Sequence, residues 1–101
     1  MEVEIYDKDL LELYLKGKSR KYILPKEIIE KYYKRINDIH AAKNIYDLWS
    51  DKAINFEKLT NLNLYSMKLN NRYRLEMKIE WENDNKTIGT FIITGISKHY
   101  E

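Results

Sequence analysis

The spacing of apolar residues changes once along the chain, from helical to strand-like, and the change divides the sequence into two halves. Val3 and Ile5 alternate with glutamates, which predicts a short N-terminal edge strand over Val3 to Tyr6. Asp7 or Asp9 can cap a helix running through Leu10, Leu11, Leu13, Tyr14 and Leu15, and Gly17 ends it. Lys18 to Lys21 then form a basic loop, and Pro25 suits the first turn of a second helix. In that helix Ile28, Ile29, Tyr32, Tyr33, Ile36 and Ile39 recur at spacings of three and four, giving one apolar stripe to about Ala42. Glu27–Lys31 and Glu30–Lys34 are i,i+4 pairs in the favourable order, each expected to add about 0.3 kcal/mol. Ile45 to Trp49 reads as a further short helical piece.

From residue 64 the period becomes two. Tyr65, Met67 and Leu69 alternate with Ser66, Lys68 and Asn70; Tyr73, Leu75, Met77, Ile79 and Trp81 alternate with arginines, lysine and glutamates. Asn83-Asp84-Asn85 is turn chemistry. Thr87 to Ser97 is apolar on both faces, as a central strand requires. The order β-α-α-β-β-β predicts an α+β domain over residues 1–101, with helices on one face of a mostly antiparallel sheet.

The hairpin after residue 64 fixes what the polar face carries. A two-residue loop of Asn70-Asn71 sets Leu69 against Arg72 and Met67 against Arg74, mixing the faces. A three-residue loop, Asn70 to Arg72, pairs Leu69 with Tyr73 and Met67 with Leu75 and keeps the faces separate. That register places Lys68 opposite Arg74, a like-charge pair that an anionic ligand would turn from unfavourable to favourable. The last hairpin, near Asn83 to Lys86, brings Gly95–Ser97 beside Arg72–Arg74, so Lys98-His99-Tyr100-Glu101 would emerge near Lys68, Asn70 and Arg74.

Composition narrows the chemistry. With 101 residues, 44% of them hydrophobic and 13% aromatic, the chain can build one core and is not a disordered tail. The absence of cysteine excludes disulfide scaffolds, zinc ribbons and thiol catalysis, and two histidines exclude an all-imidazole metal site; no cofactor or metal is expected. The acidic start and the lack of a long apolar run predict a cytoplasmic protein without a membrane segment. The net charge of +2 hides blocks: residues 16–35 carry eight Lys or Arg against Glu27 and Glu30, and residues 58–78 carry five against Glu76. Two such blocks make one face for an anionic partner if the fold joins them. Most of the tyrosines (Tyr32, Tyr33, Tyr65, Tyr73), with Trp49 and Trp81, are expected in the core, and His40 on the surface near a helix C-terminus. Lys, Arg, His, Tyr and carboxylate in one cluster are the ingredients of metal-independent RNA cleavage. A base takes the 2′-hydroxyl proton, an acid protonates the leaving 5′-oxygen, and cations hold the charge gathering on phosphorus. His99 is the natural acid or base, with Tyr100 or Glu101 as its partner.

The run Tyr65-Ser66-Met67-Lys68-Leu69-Asn70-Asn71-Arg72-Tyr73-Arg74-Leu75 resembles the "Y-S-x-R/K-x-N-x-x-Y/W-R-L" motif of HigB-like toxins in the RelE/ParE superfamily. The ending Ser97-Lys98-His99-Tyr100 resembles that group's "S-x-H-Y", and the opening, from Tyr6 to Ser19, is similar to its first helix and Gly-Lys loop. The resemblance implies an endoribonuclease toxin that cuts mRNA in the 30S A site. It also implies a HigA-like antitoxin with a helix-turn-helix region, through which alone the toxin would reach operator DNA. Carried over, Arg74 and Lys68 would stabilise the phosphorane, His99 would be acid or base, and Tyr100 and Asn70 would position RNA. The segment Lys16–Lys21 (with Lys18, Arg20 and Lys21) and the helix bearing Lys31, Lys34 and Arg35 would grip ribosomal RNA phosphates, with Lys58 and Arg72 as further RNA contacts. The loop "L-H-x-L-K-G" of many HigB toxins departs here: Glu57 stands at the histidine position and Thr60 at the lysine position. Either Glu57 acts as a base, or Lys58 compensates as a phosphate contact, or the two-histidine mechanism does not apply. The competing readings are a ParE-like inhibitor of DNA gyrase and a non-catalytic RNA- or protein-binding module.

Overall fold

Among the described residues eight elements follow in the order β1 (Glu2–Ile5), α1 (Lys8–Lys16), α2 (Lys26–Ala41), α3 (Ile45–Trp49), β2 (Glu57–Leu59), β3 (Leu64–Lys68), β4 (Tyr73–Trp81) and β5 (Gly89–Lys98). The computed structural model describes residues 1–59 and 63–98, so the expectations for Thr60, His99, Tyr100 and Glu101 lie outside the described residues.

Local signals set the helices as expected. The Asp7 carboxylate accepts from the backbone N–H of Asp9 and Leu10 at 2.9 and 3.0 Å, capping α1. Gly17 closes the helix in the left-handed conformation at φ 75°, its N–H donating to the Leu13 carbonyl. In α2 the stripe Ile28, Tyr32, Ile36 and Ile39 is buried, and the Tyr32 hydroxyl donates to the Leu10 carbonyl at 3.0 Å, tying α2 to α1. The Glu27–Lys31 and Glu30–Lys34 pairs do not close; the ion pairs among the described residues are Lys21–Asp7, Arg35–Asp38 and Arg74–Glu57.

The sheet has five strands in the order β1-β5-β4-β3-β2, antiparallel except for β1, which runs parallel to β5 at the edge. β5 is thus internal, which explains its two apolar faces. The three-residue loop holds. Met67 faces Leu75, Lys68 faces Arg74, and the Leu69 N–H donates to the Tyr73 carbonyl at 2.9 Å. The short β2 was not anticipated, because three residues carry too little alternation to register; it pairs Glu57 with Ser66 and Leu59 with Leu64.

The core lies between the helices and one sheet face, around Tyr32, Met67, Leu75, Met77, Phe91 and Ile93. Trp49 departs from expectation: α3 is too short to bury both sides, so the indole stays 44% exposed while lying tilted against Phe56, ring centroids 4.4 Å apart. No helix among the described residues is long and apolar enough to cross a membrane.

Candidate active site

The sheet face turned away from the core carries the polar halves of the alternating strands, and register arranges them in rows. Glu2, Thr90 and Glu80 form one row, and Glu4, Ile92 and Lys78 the next. A β-bulge at Glu76/Met77 follows; beyond it Gly95, Glu76, Ser66 and Glu57 line up, and then Ser97, Arg74 and Lys68. The face grades from acidic at one end to basic at the other.

Arg74 is the centre of the basic end. Its Nε donates to the Ser66 hydroxyl at 2.8 Å, and Nη2 donates to the Ser66 carbonyl at 3.3 Å and to the Asn55 carbonyl. Asn55 has φ 46°, a left-handed conformation that asparagine tolerates better than most residues, and this turns its carbonyl toward the guanidinium. Glu57 lies 3.7 Å from Nη2 with its own side chain half exposed. Burial lowers the Arg74 pKa and Glu57 opposes that shift, so the group stays cationic. Nη1 has no partner among the described residues and its two N–H donors remain for a ligand. Across the strand pair, Lys68 is held by its backbone: its N–H donates to the Ile54 carbonyl at 2.8 Å and its carbonyl accepts from Arg35 Nε at 2.7 Å.

Several expected RNA contacts sit elsewhere. Arg35 is a correction: it is 3% exposed, with its guanidinium donating to the Lys68 and Ala53 carbonyls and paired with Asp38 at 3.0 Å, so no donor edge faces solvent. Lys58 is another, because β2 pairs it with Tyr65 on the opposite face from Arg74, its ammonium 5.8 Å from that ring centroid. Asn70 makes the hairpin loop: its side-chain oxygen accepts from the Arg72 and Tyr73 N–H groups, both at 2.8 Å, leaving only its amide nitrogen for a ligand. Arg72 is exposed at the same loop, and Lys34 is exposed on α2. Lys18 and Arg20 are exposed before α2, and Lys21 pairs with Asp7 at 3.9 Å. That segment reaches the sheet through Tyr22, whose hydroxyl lies 4.0 Å from where a side chain on Gly95 would begin.

Ser66, Glu76, Ser97 and the Asn55 carbonyl complete the cluster and were not singled out from sequence. The alternation that put Lys68 opposite Arg74 also puts Ser66 opposite Glu76, two residues further along the same ladder. Chemically, the described site holds two cations able to neutralise an anionic group, with Glu57 and Glu76 as carboxylates in the adjoining row. The described residues contain no group of three or more His, Cys, Asp or Glu placed to hold a metal ion.

No protein-family model and no curated protein matches the sequence. Solved structures do match its shape. A YoeB/ParE toxin from Agrobacterium tumefaciens superposes with a TM-score of 0.58 at 10% identity, over 99% of this chain and 100% of that one. A chain of the YoeB–YefM complex from Staphylococcus aureus gives 0.57 at 16% identity, over 99% of this chain and 98% of that one. The α+β domain built around Arg74 therefore has the fold of the YoeB and ParE toxins.

Proposed function

We propose that the protein is the toxin of a toxin–antitoxin pair and a metal-independent endoribonuclease of the HigB kind, cutting mRNA in the 30S A site. The observation that carries this reading is Arg74. Its guanidinium is fixed by three hydrogen bonds from Nε and Nη2 to Ser66 and Asn55, with Nη1 unpartnered among the described residues and Lys68 directly opposite. Such an arrangement costs no reorganisation when charge develops on a scissile phosphate. In the reaction a base removes the ribose 2′-hydroxyl proton and the 2′-oxygen bonds to phosphorus. The bond to the 5′-oxygen then breaks as that oxygen gains a proton, leaving a 2′,3′-cyclic phosphate and a 5′-hydroxyl. Arg74 and Lys68 neutralise the phosphorane, Glu57 is a candidate base 3.7 Å from Arg74, and by the motif resemblance His99 is acid or base while Tyr100 positions the RNA.

The YoeB neighbour was solved with YefM, and the fold likeness supports an antitoxin partner for this chain too. By the motif resemblance that partner is HigA-like, carries a helix-turn-helix region and alone contacts operator DNA. The toxin acts in the cytoplasm, where ribosomes and messages meet. Mapping mRNA 5′ ends in a cell-free translation reaction tests the reading: purified protein produces cuts on ribosome-occupied message, and Arg74→Ala abolishes them. Growth arrest without cuts would replace the ribonuclease with a gyrase-directed or docking function.

A further inference from the structure

A cleft of about 370 Å³ opens where α2 meets the β3–β4 hairpin, walled by Lys31, Lys52, Lys68, Asn70 and Asn71 over the buried Arg35. That volume lies at the low end of the roughly 300–1,000 Å³ typical of ligand clefts. Arg35 is neutralised by Asp38, so the charge of the cleft is that of its lysines. None of the three lysines has a carboxylate partner among the described ion pairs. Like charges gathered around one concavity repel, and an anion between them reverses the sign. Lysine is a point charge that follows a phosphate without demanding bidentate geometry, and the amide groups of Asn70 and Asn71 add neutral donors at the rim. Lys68 belongs both to this wall and to the row of Arg74. The cleft therefore adjoins the candidate active site at Lys68.

We propose that the cleft is a second phosphodiester subsite, at which Lys31 and Lys52 hold the same RNA strand that crosses Arg74. The strand bends over the β3–β4 hairpin from the open sheet face toward α2. This rests on the ribonuclease reading.

The test measures binding of the full-length protein to a short 2′-O-methyl RNA, which cannot be cleaved, by fluorescence anisotropy over a salt series. Lys31 and Lys52 are both exposed, so K31A/K52A keeps the fold, as a thermal melt verifies. The double variant binds more weakly, and its log Kd against log salt slope falls by about 1.4, two contacts at ~0.7 each on a single strand. The equally charged control K43A/K86A, at exposed positions away from the cleft, keeps the parent slope. A parent slope in K31A/K52A alongside weakened binding by Arg74→Ala overturns the subsite and leaves the ribonuclease reading intact. Unchanged binding in both overturns the two together. A defect confined to 30S subunits, or to the antitoxin complex, assigns the cleft to ribosomal RNA or to an acidic peptide and overturns the proposal.

Discussion

Arg35 and Arg74 are both largely withdrawn from solvent, yet their guanidinium groups serve different ends. Arg35 is satisfied on every side and joins α2 to the Ala53 carbonyl and the end of β3. Replacing it with alanine strands Asp38 and two carbonyls, and lowers unfolding free energy by about 3 kcal/mol in urea titration, a value appropriate to breaking a buried pair. Arg74 keeps one edge open, and its fork is what aligns it. Arg74→Lys retains the charge but loses the Ser66 and Asn55 anchors, so cleavage drops by about 10²-fold, the scale of losing one preorganised donor; single-turnover cleavage on programmed ribosomes checks this. Tyr32 makes a third prediction. Burial, with Tyr14 and Tyr33 adding to it, holds its phenol above the ordinary value of about 10. The unfolded chain then loses a proton that the folded chain keeps, so the stability involved is complete below about pH 10 and is lost as pH rises further. Melting temperatures measured from about pH 9 to 11 fall less steeply for Tyr32→Phe than for the parent.

Elements in this fold depend on a few local devices, and these were the most legible part of the chain. Asp7, Gly17 and the α2 stripe could be read directly because capping and helical spacing act within one turn of sequence. Asp7→Ala leaves the N–H groups of Asp9 and Leu10 without their acceptor and costs about 1 kcal/mol, seen as a lower urea midpoint. Gly89 opens β5 against β4 for a reason invisible in sequence. A methyl group there would sit 2.7 Å from both the Glu80 carbonyl oxygen and the Ile79 side chain. Gly89→Ala therefore destabilises by about 1–3 kcal/mol and disturbs the end of the hairpin, which amide exchange at Glu82 reports. β2 and the bulge at Glu76/Met77 escaped for a related reason, since both are created by pairing with a distant strand and leave no periodic trace.

At the scale of the molecule, facing was readable and depth was not. Alternation alone put Lys68 and Arg74 together, because a strand pair has only two faces. Alternation also separates Lys58 from Glu57, neighbours in sequence on opposite sides of the sheet. Whether a cation is solvated or enclosed depends on what the rest of the chain lays over it. That is why Arg35 read as a surface contact, although an arginine inside the apolar stripe between Tyr32 and Ile36 was the available warning. The sheet is closed at one edge by β1 against β5, joining residues 2–5 to residues 90–93. Such a non-local pairing forms late, after the loop-closure entropy of nearly the whole chain has been overcome. Val3→Ala is accordingly expected to raise the unfolding rate and leave the folding rate almost unchanged in a stopped-flow chevron. Timing follows from this. During synthesis the first strand has no strand to pair with until β5 has left the ribosome. Until residues 90–93 emerge, the edge of residues 2–5 is without its strand partner.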